Sequence, residues 1–223
     1  MIAGRQAAGT GVAVALALLA GCATVPSGQK LLTDGQAALD AAPLCCSDRG
    51  LASAQRSALP LVPATIEIDG HAQAHDFGGN KAFFALYELP AYSAPYAIKL
   101  TSRSKGGLTD VAILVPRVAV YDADFKLTRY FDDKTLRNRG NDLERTVFIN
   151  PGDARERYIA IHGSNLSASI ERAYSMVTVT PVVAGPVIFN MYGGQDGKSV
   201  LRSAPTGTVQ LEVQGLQPVA AKP

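Results

Sequence analysis

A chain of 223 residues with 21 Lys+Arg against 19 Asp+Glu carries a formal charge of only +2. That balance excludes the basic footprint expected of a nucleic-acid partner, while a hydrophobic content of 47% suits a folded globule with a real core. The length fits one domain of ordinary size plus a tether, and the scattered Gly and Pro suit many turns between short strands.

The first element is a targeting segment. Arg5 and Lys30 are the only charges before Asp34, and "AAGTGVAVALALLAG" is apolar or small throughout, with the short apolar core and small-residue exit of a secretory signal peptide. The strongly apolar part, Val12 to Ala20, is too short for a continuous span, which needs ~20 such residues. The four residues Leu19-Ala20-Gly21-Cys22 then resemble the lipobox of bacterial lipoproteins. That resemblance implies a signal peptide over 1–21, acylation of Cys22 as the first mature residue and, with Ala23 rather than Asp following it, sorting to the outer membrane. Several acyl chains, each buried CH2 contributing about 0.8 kcal/mol, make such an anchor effectively permanent. The expected location is the periplasmic side of the outer membrane, and the first expected partner is the membrane itself.

Residues 22–43 are small and polar and read as a tether lifting the domain off the membrane; a short helix there is only weakly signalled. "PLCCSDRG" follows, and its Cys45 and Cys46 are the only thiols left once Cys22 is acylated. An oxidising compartment favours a bonded pair. Neighbouring alpha carbons lie only ~3.8 Å apart, so a ring between them is strained. Three readings compete: a vicinal disulfide acting as a local rigid turn, which is preferred; two thiols gripping a soft metal ion; and bridges to another chain. The metal reading is the weaker because His71 and His75 lie well downstream and no second CxxC completes a ligand set.

From Ala64 onward the pattern changes to period two and β-branched or aromatic runs: "ATIEID", "AFFALYEL", "YAIKLTS", "DVAILVPRVAVYDADF", "LTRYF", "RTVFIN", "RYIAIHG", "SMVTVTPVV" and "GTVQLEVQG". Turn residues such as "DGH", "SKGG", "NRGND", "NPGD" and "GGQDG" separate many of them. The fold expected over 44–216 is an all-β, antiparallel β-sandwich of jelly-roll type, followed by a flexible tail over 217–223. Alternation places Ile98, Leu100, Val209, Leu211 and Val213 inward. Pro116 divides the apolar run Val111 to Val120 into two stretches, because it cannot donate to a ladder. One short helix is expected in "LSASIERAYSM", with Ser167 capping a short turn of helix that leads to Glu171.

The phrases "FFALYELPAYSAPYAIKLTSR", "ILVPRVAVYDADFKLTRYF", "RYIAIHGSNLSASIERAYS" and "GTVQLEVQ", in that order, resemble the maltose operon periplasmic protein family, over roughly Ala64 to Gln214. That resemblance implies a periplasmic protein linked to carbohydrate transport, and it transfers no residue-level role. The lipobox and the chain end at "LQPVAAKP" depart from the family pattern. A looser resemblance is to the small jelly-roll domains that follow secreted peptidases.

Chemistry-bearing motifs are sparse. No GxSxG, HExxH, P-loop, GxGxxG or EF-hand loop is present. His71 and His75 in "HAQAH" read as exposed histidines, and His162, ending a strand, reads as a packed or capping residue rather than a general base. Asp122, Asp124, Asp132, Asp133 and Asp142 offer hard oxygen ligands for Ca2+, yet loop solvation explains them as well. No cofactor and no metal are expected. Sugar rings stack on flat aromatic faces; with no Trp in the chain, Tyr92, Tyr96, Tyr130 and Tyr192, all near turns, are the candidate rim of a binding site. The expected function is therefore a non-enzymatic, membrane-tethered accessory lipoprotein of the periplasm, with an envelope protein or a carbohydrate as its partner. A glycan-binding module of the cell envelope is the first alternative and a hydrolase with an unrecognised site the second.

Overall fold

The computed structural model describes residues 25–46, 50–107, 109–164 and 169–216. The signal segment, Cys22, Ser167 and the tail over 217–223 lie outside the described residues. Three sheets account for most of the chain. The first, six-stranded, is ordered β1 (Ser57–Ala58), β4 (Lys81–Glu88), β12 (Glu156–Gly163), β8 (Pro116–Asp122) and β9 (Leu127–Phe131), with β3 (Gln73–Asp76) also paired to β4. The second, five-stranded, runs β10 (Arg137–Arg139), β11 (Asp142–Ile149), β5 (Tyr96–Arg103), β15 (Gly207–Gln214) and β2 (Ala64–Ile68). The third, four-stranded, runs β13 (Ser169–Ala184), β14 (Val187–Ala204), β7 (Asp110–Leu114) and β6 (Lys105–Gly106). Pairing is antiparallel except for β1 on β4 and β14 on β7.

The first two sheets face each other across the main core, which makes the fold all-β and sandwich-like. Phe83, Val118, Val120, Ile159 and Ile161 from one sheet pack with Ile98, Leu100, Val147, Ile149, Val209 and Leu211 from the other. Strand alternation produces this layer directly: residues two apart share a face, and each fully buried aliphatic side chain contributes about 1.5–3 kcal/mol. Val213, read as inward, is only partly buried at the margin of the same core. The run breaks at Val115, Pro116 opens β8, and the two stretches enter different sheets.

Two expectations are corrected. The segment expected to be helical after Ser167 is strand instead: residues 169–184 form β13, paired over its full length with β14. The β-branched run from Val177 to Val183 and a partner strand that satisfies its backbone outweigh the weak cap signal. The helix lies earlier, in the stretch read as tether. Helix α1 spans Gly28–Ala41, with the Ser27 hydroxyl accepting from the Lys30 amide and an i,i+4 pair between Lys30 and Asp34. It is docked on the body. Leu39 enters the main core, and Gly28 sits so close to the Val111 backbone that a Cβ there would lie 2.5 Å from its carbonyl carbon.

The third sheet carries an unusual extension. Beyond the short contact of Val200–Ala204 with β7, strands β13 and β14 continue as a two-stranded ribbon to a turn at Gly185 and Pro186. This β-arm, the distal part of that hairpin, exposes almost every side chain along both strands.

Candidate functional site

The outer face of the first sheet is built by lateral register. Gln73, Phe84, His162 and Arg117 lie opposite one another across β3, β4, β12 and β8, so they point to one side. Tyr130 pairs with Ala119 and therefore joins the same side. The strands alone would leave this face wet, but a second apolar layer covers much of it: Leu51, Phe77, Phe125 and the Cys45–Cys46 pair pack against Phe84, Leu86, Ala119 and Ala160.

His162 is sealed within this layer, with no exposed surface. The Phe77 ring stacks on it at 3.9 Å between centroids and 1° between planes. Its Nδ1 donates to the Gly163 carbonyl at 2.9 Å, and Nε2 is buried without a hydrogen-bond partner. Burial drives its pKa down to about 4, which keeps the imidazole neutral. These contacts make His162 a packed residue, as its place at the end of "YIAIHG" suggested.

Beside it, His75, Asp76, Phe77, Gly78, Tyr121, Leu127 and Tyr130 line a recess of about 410 Å³. Burial pushes Tyr121 up to about 12, so its phenol stays protonated and can both donate and accept. Aromatic walls with a few polar groups at the mouth are the general make-up of a small-ligand site.

Cys45 and Cys46 are joined by a disulfide, with alpha carbons 3.8 Å apart. Cys46 occupies the left-handed region at φ 70, which non-glycine residues rarely adopt. The pair is held against β3: Leu44 bridges Ala74, and the Cys45 amide donates to the Ala74 carbonyl at 2.8 Å. The next residue on that strand is His75. Its ring nitrogen and the two sulfurs lie within 4.8 Å of one another, the one group of three potential metal ligands brought together among the described residues. The sequence reading set His75 aside as distant; nothing local in "HAQAH" announces that β3 runs alongside residues 44 and 45.

The other candidates disperse. Tyr96 is buried, and desolvation raises it to about 12, so it cannot form a rim. Tyr92 packs partly against the main core, Tyr130 lines the recess, and Tyr192 stands on the β-arm, 74% exposed. The aspartates are engaged singly: Asp122 accepts from the amides of Asp124 and Lys126, Asp132 from that of Lys134, Asp133 pairs with Arg117 and Asp142 with Arg103. His71 is exposed.

The β-arm is the feature least visible in the sequence. Residues 173–195 contain no charged side chain, and Val177, Val179, Val183, Val187, Ile188, Phe189, Met191 and Tyr192 are all exposed. "SMVTVTPVV" was legible as a strand. Its signal for a projecting hairpin was the uncharged stretch on either side of Ala-Gly-Pro.

No helix among the described residues is long and apolar enough to cross a membrane. Comparison with known proteins returns no matching family model, no matching curated protein and no matching solved structure.

Proposed function

We propose that this protein is a non-enzymatic accessory module of the cell envelope, tethered by acyl chains on Cys22, that grips another envelope protein with its β-arm. The observation that carries this reading is the uncharged, solvent-exposed ribbon over residues 173–195. A monomer gains nothing from such a surface, because contiguous apolar patches of this kind promote association. A two-stranded ribbon is also marginal alone in water.

The chemistry of the arm selects its occupant. The ribbon pairs twelve residues per strand, 173–184 against 187–198, with Asp196 and Lys198 at its root; at ~3.4 Å per residue its length is about 40 Å, and two strands give a width of about 10 Å. Each face then offers about 400 Å². Docking one face buries about 800 Å² in total, below a specific interface, whereas enclosing both faces reaches about 1,600 Å², the standard size. Both faces are apolar: Val177, Val179 and Val183 alternate with Met176 and Val182, and Ile188 and Tyr192 with Phe189 and Met191. Lipid would also wet both faces, but the outer edges of the ribbon carry backbone groups that hydrocarbon cannot satisfy. A protein that offers strand edges and apolar walls satisfies both requirements.

The test places a photo-cross-linking residue at Ile188 in cells and a control at exposed Asp124. A discrete adduct with a different protein, from Ile188 alone, supports the reading. An adduct only with a second copy, or no protein adduct, overturns it. Cys22→Ser tests the tether separately: processed, membrane-extracted protein from that variant defeats lipidation whatever the arm does.

The link to carbohydrate uptake rests on the resemblance of the sequence phrases, and one observation favours a second reading of the body itself. The recess between Phe77, Tyr121 and Tyr130, with His75 and Asp76 at hand, has the volume and the aromatic walls for a sugar unit or two. Titration with maltodextrins should give saturable heats that vanish in Tyr130→Ala; flat heats from the unaltered protein remove the glycan reading and leave the arm untouched.

A further inference from the structure

We propose that Cys45, Cys46 and His75 form a redox-gated site for a soft metal ion of the Zn2+ or Cu+ class. The disulfide is the closed state of the gate, since sulfurs bonded to each other are poor ligands. Opening it takes two electrons from an external thiol reductant: two RSH reduce the Cys45–Cys46 bond, giving two cysteine thiols and one RSSR. The ion then binds two thiolates and the neutral imidazole of His75, and the two thiol protons leave to solvent.

Three structural facts converge on this assignment. The ligand atoms are already gathered, both sulfurs and a His75 nitrogen lying within 4.8 Å of one another. Metal bonds of ~2.3 Å to sulfur and ~2.0 Å to nitrogen put tetrahedral ligand atoms about 3.5 Å apart, so small side-chain rotations complete the set. The backbone is fixed independently of the S–S bond: the Cys45 amide on the Ala74 carbonyl and the bridge from Leu44 to Ala74 keep the pair beside His75. Finally, the imidazole has an apolar collar, with Phe77 edge-on at 5.0 Å and Phe84 at 6.1 Å. A collar of that kind restricts the ring's orientation.

The donor set defines the ion. Two thiolates and an imidazole favour soft or borderline d10 ions and reject Ca2+ and Mg2+, which demand oxygen. Three protein ligands leave a fourth tetrahedral position open. His75 also lines the recess, so a ligand entering from that side would meet the ion.

The test uses the full chain in a Cys22→Ser background, so that the pair supplies the only thiols. Oxidised and phosphine-reduced samples are titrated anaerobically with Zn2+ against a chromogenic chelator, and Co2+ serves as the spectroscopic probe. The reduced protein should bind one Zn2+ per chain at least 100-fold more tightly than the oxidised protein, with a thiolate-to-cobalt charge-transfer band. His75→Ala should weaken binding tenfold or more with two titratable thiols intact, and His75→Asn provides the same measurement should the alanine variant fail to fold. Equal binding by oxidised and reduced protein, or unchanged affinity in both His75 variants, overturns the site.

Discussion

Asp110→Asn tests whether one carboxylate fastens the N-terminal helix to the root of the β-arm. Asp110 Oδ2 accepts from the Gln29 amide in the first turn of α1 at 2.9 Å, and Oδ1 accepts from Arg202 Nε at the base of β14 at 2.7 Å. The amide bond from Gln29, followed by the Arg202 bond and charge, holds this carboxyl below the usual carboxylate range against the opposing effect of burial. Asparagine keeps the shape and one oxygen but removes the charge. A hydrogen bond to a charged group contributes about 1.5–3 kcal/mol, a carboxylate at a helix N-terminus about 0.3–1, and a partly exposed ion pair about 1 or less. These share one group and do not add, so the expected loss is about 2 kcal/mol. With a urea slope of about 2 kcal/mol/M, the midpoint should fall by about 1 M at constant slope. The sign with pH follows from the lowered value. The contribution is complete above the unfolded carboxylate pKa near 3.9 and is lost as pH falls through the lower folded value. The gap between the two proteins should therefore be constant from neutral pH down to about 5 and should close below about 4. A midpoint shift under about 0.2 M at neutral pH, or a gap that stays open in strong acid, refutes the reasoning.

Acid sensitivity should also come from His162, whose pKa falls from 6.5 to about 4 on folding; its neutral form stabilises fully above about pH 6.5, and about 3 kcal/mol is lost as pH falls to 4. Thermal melts of His162→Leu should lack that slope between the two values, and a retained slope would assign it elsewhere. Glu156, with a 2% exposed side chain, receives Arg129 Nε at 2.8 Å and Nη2 at 2.6 Å and the Thr128 hydroxyl at 2.8 Å. Arg129→Met should cost about 3–5 kcal/mol by leaving that carboxylate buried and unpaired by its arginine, and a loss below 1 in denaturant melts would contradict the pairing. Leu39→Ala should cost about 2–5 kcal/mol; a loss near zero would mean that α1 is a spacer after all.

How much of this was legible depends on the range of the interaction concerned. Alternation in "YAIKLTS" and "VQLEVQ" announced Ile98, Leu100, Val209 and Leu211 because facing is a local property of a strand, and all four are completely buried. Pro116 announced the break between β7 and β8 for an equally local reason, its missing amide. Helix α1 was faint because Gly28 and Gly35 lower its intrinsic propensity; both face the body closely, against Val111 and against Pro205 and Thr206, so the residues that weaken the helix alone are those that let it dock. The gathering of His75 with the cysteine pair was invisible for the opposite reason. It depends on a bridge between Leu44 and Ala74, thirty positions apart, and no local pattern in either segment encodes that neighbour. Tyr92, Tyr96, Tyr130 and Tyr192 looked alike as tyrosines near turns, yet burial separates Tyr96 from the others by what packs over it.

The helix and the arm meet at one place, and on the proposed acylation of Cys22 that meeting would constrain how the protein stands on a membrane. Gly28 touches the Val111 backbone on β7, and β7 carries the base of β14. With Cys22 acylated, as proposed, the six residues from Cys22 to Gly28 span at most about 20 Å, so the arm's root stays near the bilayer. The arm itself is about 40 Å long. Directed downward it would push its uncharged end beyond the headgroups, where the open edges of two strands are not tolerated. The consistent arrangement has the arm running along or away from the surface, which presents both faces to the sides of a neighbouring membrane-associated protein. The proposed tether would then raise the local concentration of the arm around such a neighbour, and modest affinity for each face would be sufficient for stable association.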